Sequence, residues 1–268
     1  MGQAGVNMGQ SGVSMGQARA QSEQVKEAAV SSDDRLEILP DARSLAERVA
    51  DWLLDAATRT DGVFAIALSG GSTPRALYQR LAQPPYRDAF PWARTHVFFG
   101  DERFVPHDDP LSNYRMVWQA MLSHVPVPRE NIHGVPVEGL TPEQAAESYD
   151  ATLKIFHGAN RLDPARPLFD INLLGLGEDG HTASLFPGTD VLKERVRWVA
   201  PVIGAKAEAR ITLTYPAIDS SRYVAFLING TAKREMLGRL MADDPALPAT
   251  HVDPTGELLV FADQAAAG

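Results

Sequence analysis

Four short apolar runs constrain this chain more than any other feature. They are residues 63–68 (VFAIAL), 95–99 (THVFF), 169–174 (FDINLL) and 223–228 (YVAFLI). Runs of this length, bounded by Gly, Asn or charged residues, read as strands buried on both faces. Between them lie stretches with helical spacing. Residues 38–60 carry Leu45, Val49 and Leu53 on one face, and Pro74 opens a helix running to Ala82. Residues 112–122, 142–157 and 232–241 are helical as well, the second behind the capping residue Thr141. Residues 196–201, 211–213 and 258–261 supply shorter strands, and 125–139 is a proline-interrupted loop. Buried strands alternating with helices predict a mostly parallel sheet covered on both sides. Right-handed crossovers make that a three-layer, doubly wound α/β domain.

The ends of these runs hold the chemistry, because open α/β sheets bind ligands at the carboxyl ends of their strands. After the first run comes Ser69-Gly70-Gly71-Ser72-Thr73-Pro74. Glycines let backbone approach an anion, and a helix start offers unpaired N–H groups and a favourable dipole. An ordinary strand-to-helix turn capped by Thr73 would look the same. After the second run comes Gly100-Asp101-Glu102-Arg103, with Asn113 and Arg115 downstream. Arg103 is suited to a phosphate or a developing oxyanion; a solvated turn, with Arg103 paired to a neighbouring carboxylate, is the plainer alternative. After the third run come Gly175-Leu176-Gly177, Glu178, Asp179 and His181. An imidazole two residues from a carboxylate is placed for proton transfer near neutral pH, although an Asp-x-His also occurs as a simple cap. After the fourth run, Lys233 falls in the first turn of a helix, where the dipole disfavours a cation unless an anion lies nearby. Arg210, before the strand at 211–213, is a further candidate for the same anion.

Several functions are excluded or disfavoured. No P-loop and no Gly-x-Gly-x-x-Gly occurs, so a phosphate belongs to a small substrate and no nucleotide cofactor is expected. There is no cysteine, which removes disulfides and thiolate chemistry. His181, Glu178 and Asp179 lack the spacing of a metallohydrolase site, so no metal is required. A net charge of −9 argues against nucleic acid and anionic membranes as partners, and means that local basic groups must capture an anionic substrate. No apolar run is long enough to span a bilayer, and a cytoplasmic monomer or small homo-oligomer is expected. Residues 1–35 stand apart. Met1, Met8 and Met15 each open a glycine-rich, seven-residue repeat with no apolar face, so a disordered tail is expected, followed by one domain over 36–268.

Taken in order, LSGGSTP (68–74), GDERFVP (100–106), SNYRM (112–116), LLGLGEDGHTASLFPG (173–188), RITLT (210–214) and GTAKREML (230–237) resemble the bacterial 6-phosphogluconolactonases. The resemblance spans roughly residues 36–263 and implies a Rossmann-like fold of the sugar-phosphate isomerase/deaminase type. It implies hydrolysis of 6-phospho-D-glucono-1,5-lactone, with His181 as general base on water and Asp179 orienting it. Arg103 would then meet the phosphate or the oxyanion, with Lys233 and the Gly70–Thr73 turn on the phosphate. Asp101 matches a base of the deaminase relatives and is expected here to give polar support. An amino-sugar-6-phosphate deaminase/isomerase is the nearest rival. Those relatives carry a carboxylate shortly after the histidine, whereas Ala183-Ser184-Leu185-Phe186 follows here. A phosphosugar-binding sensor would need a DNA-binding module, which the polar tail does not resemble.

Overall fold

The structure, a computed structural model, describes Met1, Gly2 and residues 32–268; the seven-residue repeat falls almost wholly outside the described residues. Arg35–Gly268 form one compact unit, apart from Met1–Asp34. Its strands are β1 (Leu36–Leu39), β2 (Phe64–Leu68), β3 (Thr95–Phe99), β4 (Asp101–Arg103), β5 (Phe169–Leu174), β6 (Val199–Val202), β7 (Arg210–Leu213), β8 (Ser221–Ile228) and β9 (Glu257–Asp263). Six of them form a parallel sheet in the order β1-β9-β8-β5-β2-β3. All five residues of β2 are buried, as an inner strand covered on both faces requires. The Ala42–Arg59 helix buries Leu45, Val49 and Leu53, each worth about 1.5–3 kcal/mol when fully removed from water.

Three expectations are corrected. Ile38 belongs to β1, paired opposite Ala262 of β9, rather than to the helix predicted over 38–60. Pro40-Asp41 interrupts the pattern, and the Asp41 carboxylate accepts from the Ser44 amide at 2.7 Å, so the helix begins at Ala42. The helix predicted over 112–122 is an α-helix only over Asn113–Val117 and passes into a π-helical turn, Trp118–Leu122. Finally, β4 is a strand and not a turn. It joins β7 and β6 in a separate antiparallel sheet of three strands. Three charged residues give no apolar signal, and the pairing partner is remote in sequence.

The chain order places a switch point between β2 and β5. From β2 the chain adds β3 on one side and β5 on the other, so the connections diverge and open a crevice at the carboxyl ends. Two buried phenols hold the strand ends beside it. The Tyr78 hydroxyl accepts from the Ser69 amide at 3.0 Å and donates to the Ser69 carbonyl at 2.9 Å. The Tyr149 hydroxyl does the same for Phe99, at 2.8 and 3.2 Å. Burial pushes both phenols above their ordinary range, so they remain neutral donors.

Away from the crevice, Asp219 ends the short Tyr215–Asp219 helix. Burial, with the Asp253 carboxylate adding to it, raises its pKa to about 7, against the Asp253 amide and Arg195. A carboxyl raised on folding stabilises fully only below its unfolded value, and that stability is lost as pH rises toward 7. Asp219→Asn keeps an acceptor for the Asp253 amide and removes the titration. Thermal midpoints measured from pH 4 to 8 should therefore fall less for the variant than for the wild type.

Candidate active site

Each strand end contributes differently to the crevice. After β2, Gly71 adopts a φ of 108°, open to glycine, and turns the chain into the Ser72–Leu81 helix. Ser69, Gly70 and Gly71 line a cavity of about 310 Å3. The Ser69 hydroxyl is buried without a partner among the described residues, which leaves it free for a ligand. Ser72 and Thr73 do not line the cavity. The Thr73 hydroxyl instead donates to Asn229 at 2.5 Å, tying this turn to the loop after β8.

Strand alternation divides β4. Asp101 and Arg103 reach the cavity, while Glu102 turns the other way and is buried. Glu102 accepts from the amides of Arg103, Asn113 and Tyr114 and from the Ser112 hydroxyl, and so caps the Asn113–Val117 helix. Burial raises its carboxyl even so. Asp101 accepts from the Ser184 hydroxyl at 2.6 Å and the Asn113 amide at 3.3 Å, a buried polar floor for the cavity. Arg103 makes no pair with Asp101 or Glu102; its guanidinium donates to the Leu111 carbonyl at 2.6 Å.

Arg103 and Arg210 are direct register partners across β4 and β7, and both line the cavity. Like charges placed opposite each other on a sheet are destabilising unless an anion or a carboxylate compensates. Arg210 reaches Glu208 at 3.3 Å, and Arg103 meets only a carbonyl. Such a pair is arranged to receive an anion bidentately. Lys233, the residue that opens the Arg234–Met241 helix, completes this cationic lining, with Glu178 at 3.8 Å.

The loop after β5 lines the same cavity. The His181 Nδ1 pairs with the Asp179 carboxylate, whose Oδ1 also accepts from the His181 amide at 3.2 Å. Pairing with an ionised carboxylate assigns the imidazole proton to Nδ1 and leaves Nε2 as the basic nitrogen. Burial would raise the Asp179 carboxyl, but the hydrogen bonds from His181, with help from Lys206, hold it below its ordinary value. It is therefore a carboxylate throughout the neutral range. Gly177 permits this pair, since its amide donates to the His181 carbonyl and its Cα faces the imidazole. The Phe186 ring packs against the imidazole with centroids 4.7 Å apart.

The structure thus gathers Ser69, Gly70, Gly71, Asp101, Arg103, Asn113, His181, Arg210 and Lys233 around one cavity, with Asp179 behind the imidazole. Lys206 was not foreseen. It lines the cavity from the connection between β6 and β7, 3.8 Å from Asp179 and 4.9 Å over the Phe186 ring. A single lysine in a polar connection carries no periodic signal. Among the described residues no cluster of three or more potential metal ligands occurs. No helix among them is long and apolar enough to cross a membrane.

The family described as glucosamine-6-phosphate isomerases/6-phosphogluconolactonase matches residues 40–261. A 6-phosphogluconolactonase of Nostoc sp. is 42% identical over 238 residues, covering 86% of this chain and 96% of its own. One from Synechocystis sp. is 44% identical over 206 residues, covering 75% and 82%. The crystal structure of 6-phosphogluconolactonase from Thermotoga maritima superposes with a TM-score of 0.72 at 31% identity, covering 85% of this chain and 99% of that one. A monomeric glucosamine-6-phosphate deaminase shares the fold, with a TM-score of 0.73 at 20% identity.

Proposed function

The chain belongs to the family of glucosamine-6-phosphate isomerases and 6-phosphogluconolactonases, and from that premise we propose that it hydrolyses 6-phospho-D-glucono-1,5-lactone to 6-phosphogluconate, in the cytoplasm, as a step of the oxidative pentose phosphate pathway. One observation carries the reading. A carboxylate-oriented imidazole opens onto a cavity that is also lined by two arginines paired in register across β4 and β7.

In this mechanism Nε2 of His181 takes a proton from water as its oxygen bonds to the lactone carbonyl carbon. The carbonyl electrons move onto oxygen, giving a tetrahedral oxyanion. Collapse of that intermediate breaks the bond to the ring oxygen, which takes the proton back from the imidazolium. Asp179 keeps Nδ1 protonated and stabilises the transient positive ring. Arg103, Arg210 and Lys233 hold the phosphate and offset the developing charge, with the backbone of Gly70 and Gly71 at the helix start. Asp101, Asn113 and Ser69, which line the same cavity, would meet sugar hydroxyls.

The deaminase reading is disfavoured by Phe186. Its ring lies against His181, and Ala183-Ser184-Leu185-Phe186 offers no carboxylate of the kind expected after the histidine in a deaminase. Acid release from the lactone above its spontaneous rate, set beside ammonium release from glucosamine 6-phosphate, tests the proposal. Acceleration of the first alone is expected; ammonium release without lactone hydrolysis would overturn it. Lys233→Ala should raise KM for the phosphorylated lactone about tenfold or more, because a charged hydrogen bond is worth about 1.5–3 kcal/mol. KM for unphosphorylated gluconolactone should stay unchanged, and an equal rise for both would remove Lys233 from the phosphate.

A further inference from the structure

A second cavity, of about 490 Å3, lies on the far side of the Asn113–Val117 helix. The same short element therefore presents Asn113 to the catalytic cavity and Tyr114 and Arg115 to this one. Its wall is aromatic. The rings of His107 and Tyr114 are stacked, with centroids 4.3 Å apart and planes 17° apart. Tyr114 and Trp118 follow in near-parallel planes, 13° apart. The wall is rigidly backed. Phe99 packs behind Tyr114, and a Cβ on Gly134 would come within 3.0 Å of the Tyr114 ring.

The charged groups on this lining are two arginines and Asp108. Arg129 is exposed and lies over the Trp118 ring at 5.5 Å, and Arg115 donates to the Asp108 carbonyl. Among the described residues neither guanidinium has a carboxylate partner, although acids outnumber bases in the chain as a whole. Asp108 and Gln119 supply the remaining polar edge. Parallel aromatic faces suit a flat ring, the guanidiniums on the same lining suit phosphate, and its carboxylate suits ribose hydroxyls. The volume falls within the range of about 300–1,000 Å3 usual for small-molecule sites.

We propose that this cavity binds a purine nucleotide, its base on the Tyr114–Trp118 wall and its phosphates between Arg115 and Arg129. The proposal does not depend on the lactonase reading, because no group of the catalytic cavity takes part. Calorimetric titration of the full-length protein with ADP, adenosine and inorganic pyrophosphate tests it. ADP should bind with one-to-one stoichiometry, and each half-ligand should bind at least tenfold more weakly. Base stacking is worth about 1–3 kcal/mol, so Trp118→Ala should weaken ADP by about tenfold. Arg129→Glu, at an exposed position, should weaken ADP and pyrophosphate alike. Saturating 6-phosphogluconate should leave ADP binding unchanged. Absence of ADP binding, its displacement by 6-phosphogluconate, equal affinity for pyrophosphate, or insensitivity to Arg129→Glu would each overturn the assignment.

Discussion

His181→Ala should give a folded protein that still binds 6-phosphogluconate yet scarcely accelerates lactone opening. The side chain lies at the cavity surface, touching Asp179 and Phe186, and no strand or helix depends on it for packing. Its removal costs the proton acceptor and nothing of the cationic wall. A positioned general base contributes about a hundred- to ten-thousandfold, so kcat should fall by that factor while product affinity changes little. The lactone opens spontaneously in water, so the measurement is kcat after subtraction of the enzyme-free rate, beside calorimetric binding of the product. Turnover at the wild-type level would remove His181 from the mechanism; loss of product binding would mean that it holds substrate instead.

Gly177→Ala should cost nearly as much activity without touching a polar group. A Cβ there would coincide with Nδ1 and Cε1 of His181 and come within 2.8 Å of the Asp179 carboxylate. The two side chains would have to separate, and the imidazole would lose both its orientation and its assigned tautomer. The main chain of the loop can stay where it is, since Thr182 donates to the Gly175 carbonyl and Ser184 is held by Thr212. A drop in kcat of at least a hundredfold is expected, with the far-ultraviolet spectrum retained. The imidazole proton resonances should show the lost pairing directly. An alanine variant with full activity would mean that the histidine–carboxylate pair plays no part in turnover.

The parallel sheet was legible because β2, β3, β5 and β8 are apolar nearly throughout, a pattern that only burial on both faces explains. Pairing order was not legible, and neither was the small antiparallel sheet. β4 is three charged residues whose partner, β7, lies far along the chain. The most informative electrostatic feature of the cavity, Arg103 opposite Arg210, exists only through that register. Each arginine could be named from sequence, but not their opposition. Glu102 illustrates the same limit. It stood with Asp101 and Arg103 in one charged triplet, yet strand alternation sends it away from the cavity to cap a helix. The Thr73 hydroxyl, suited by type to phosphate, is occupied by Asn229 through a contact no local pattern reveals. Glycine and histidine positions in the loop after β5 were easier, because a tight turn constrains its residues locally.

The buried Asp101 floor and the Asp179 carboxylate also bear on the end of the catalytic cycle. The lactone enters carrying charge only on its phosphate, and hydrolysis adds a carboxylate to the same molecule. Under the proposed mechanism that new charge forms beside His181, whose imidazole pairs with Asp179, in a protein already at −9. The cations lining the cavity attract the new carboxylate as well as the phosphate, while Asp101 and Asp179 repel both. Under the proposed reaction the product is the more highly charged ligand, so its affinity should depend on ionic strength more steeply than that of the lactone.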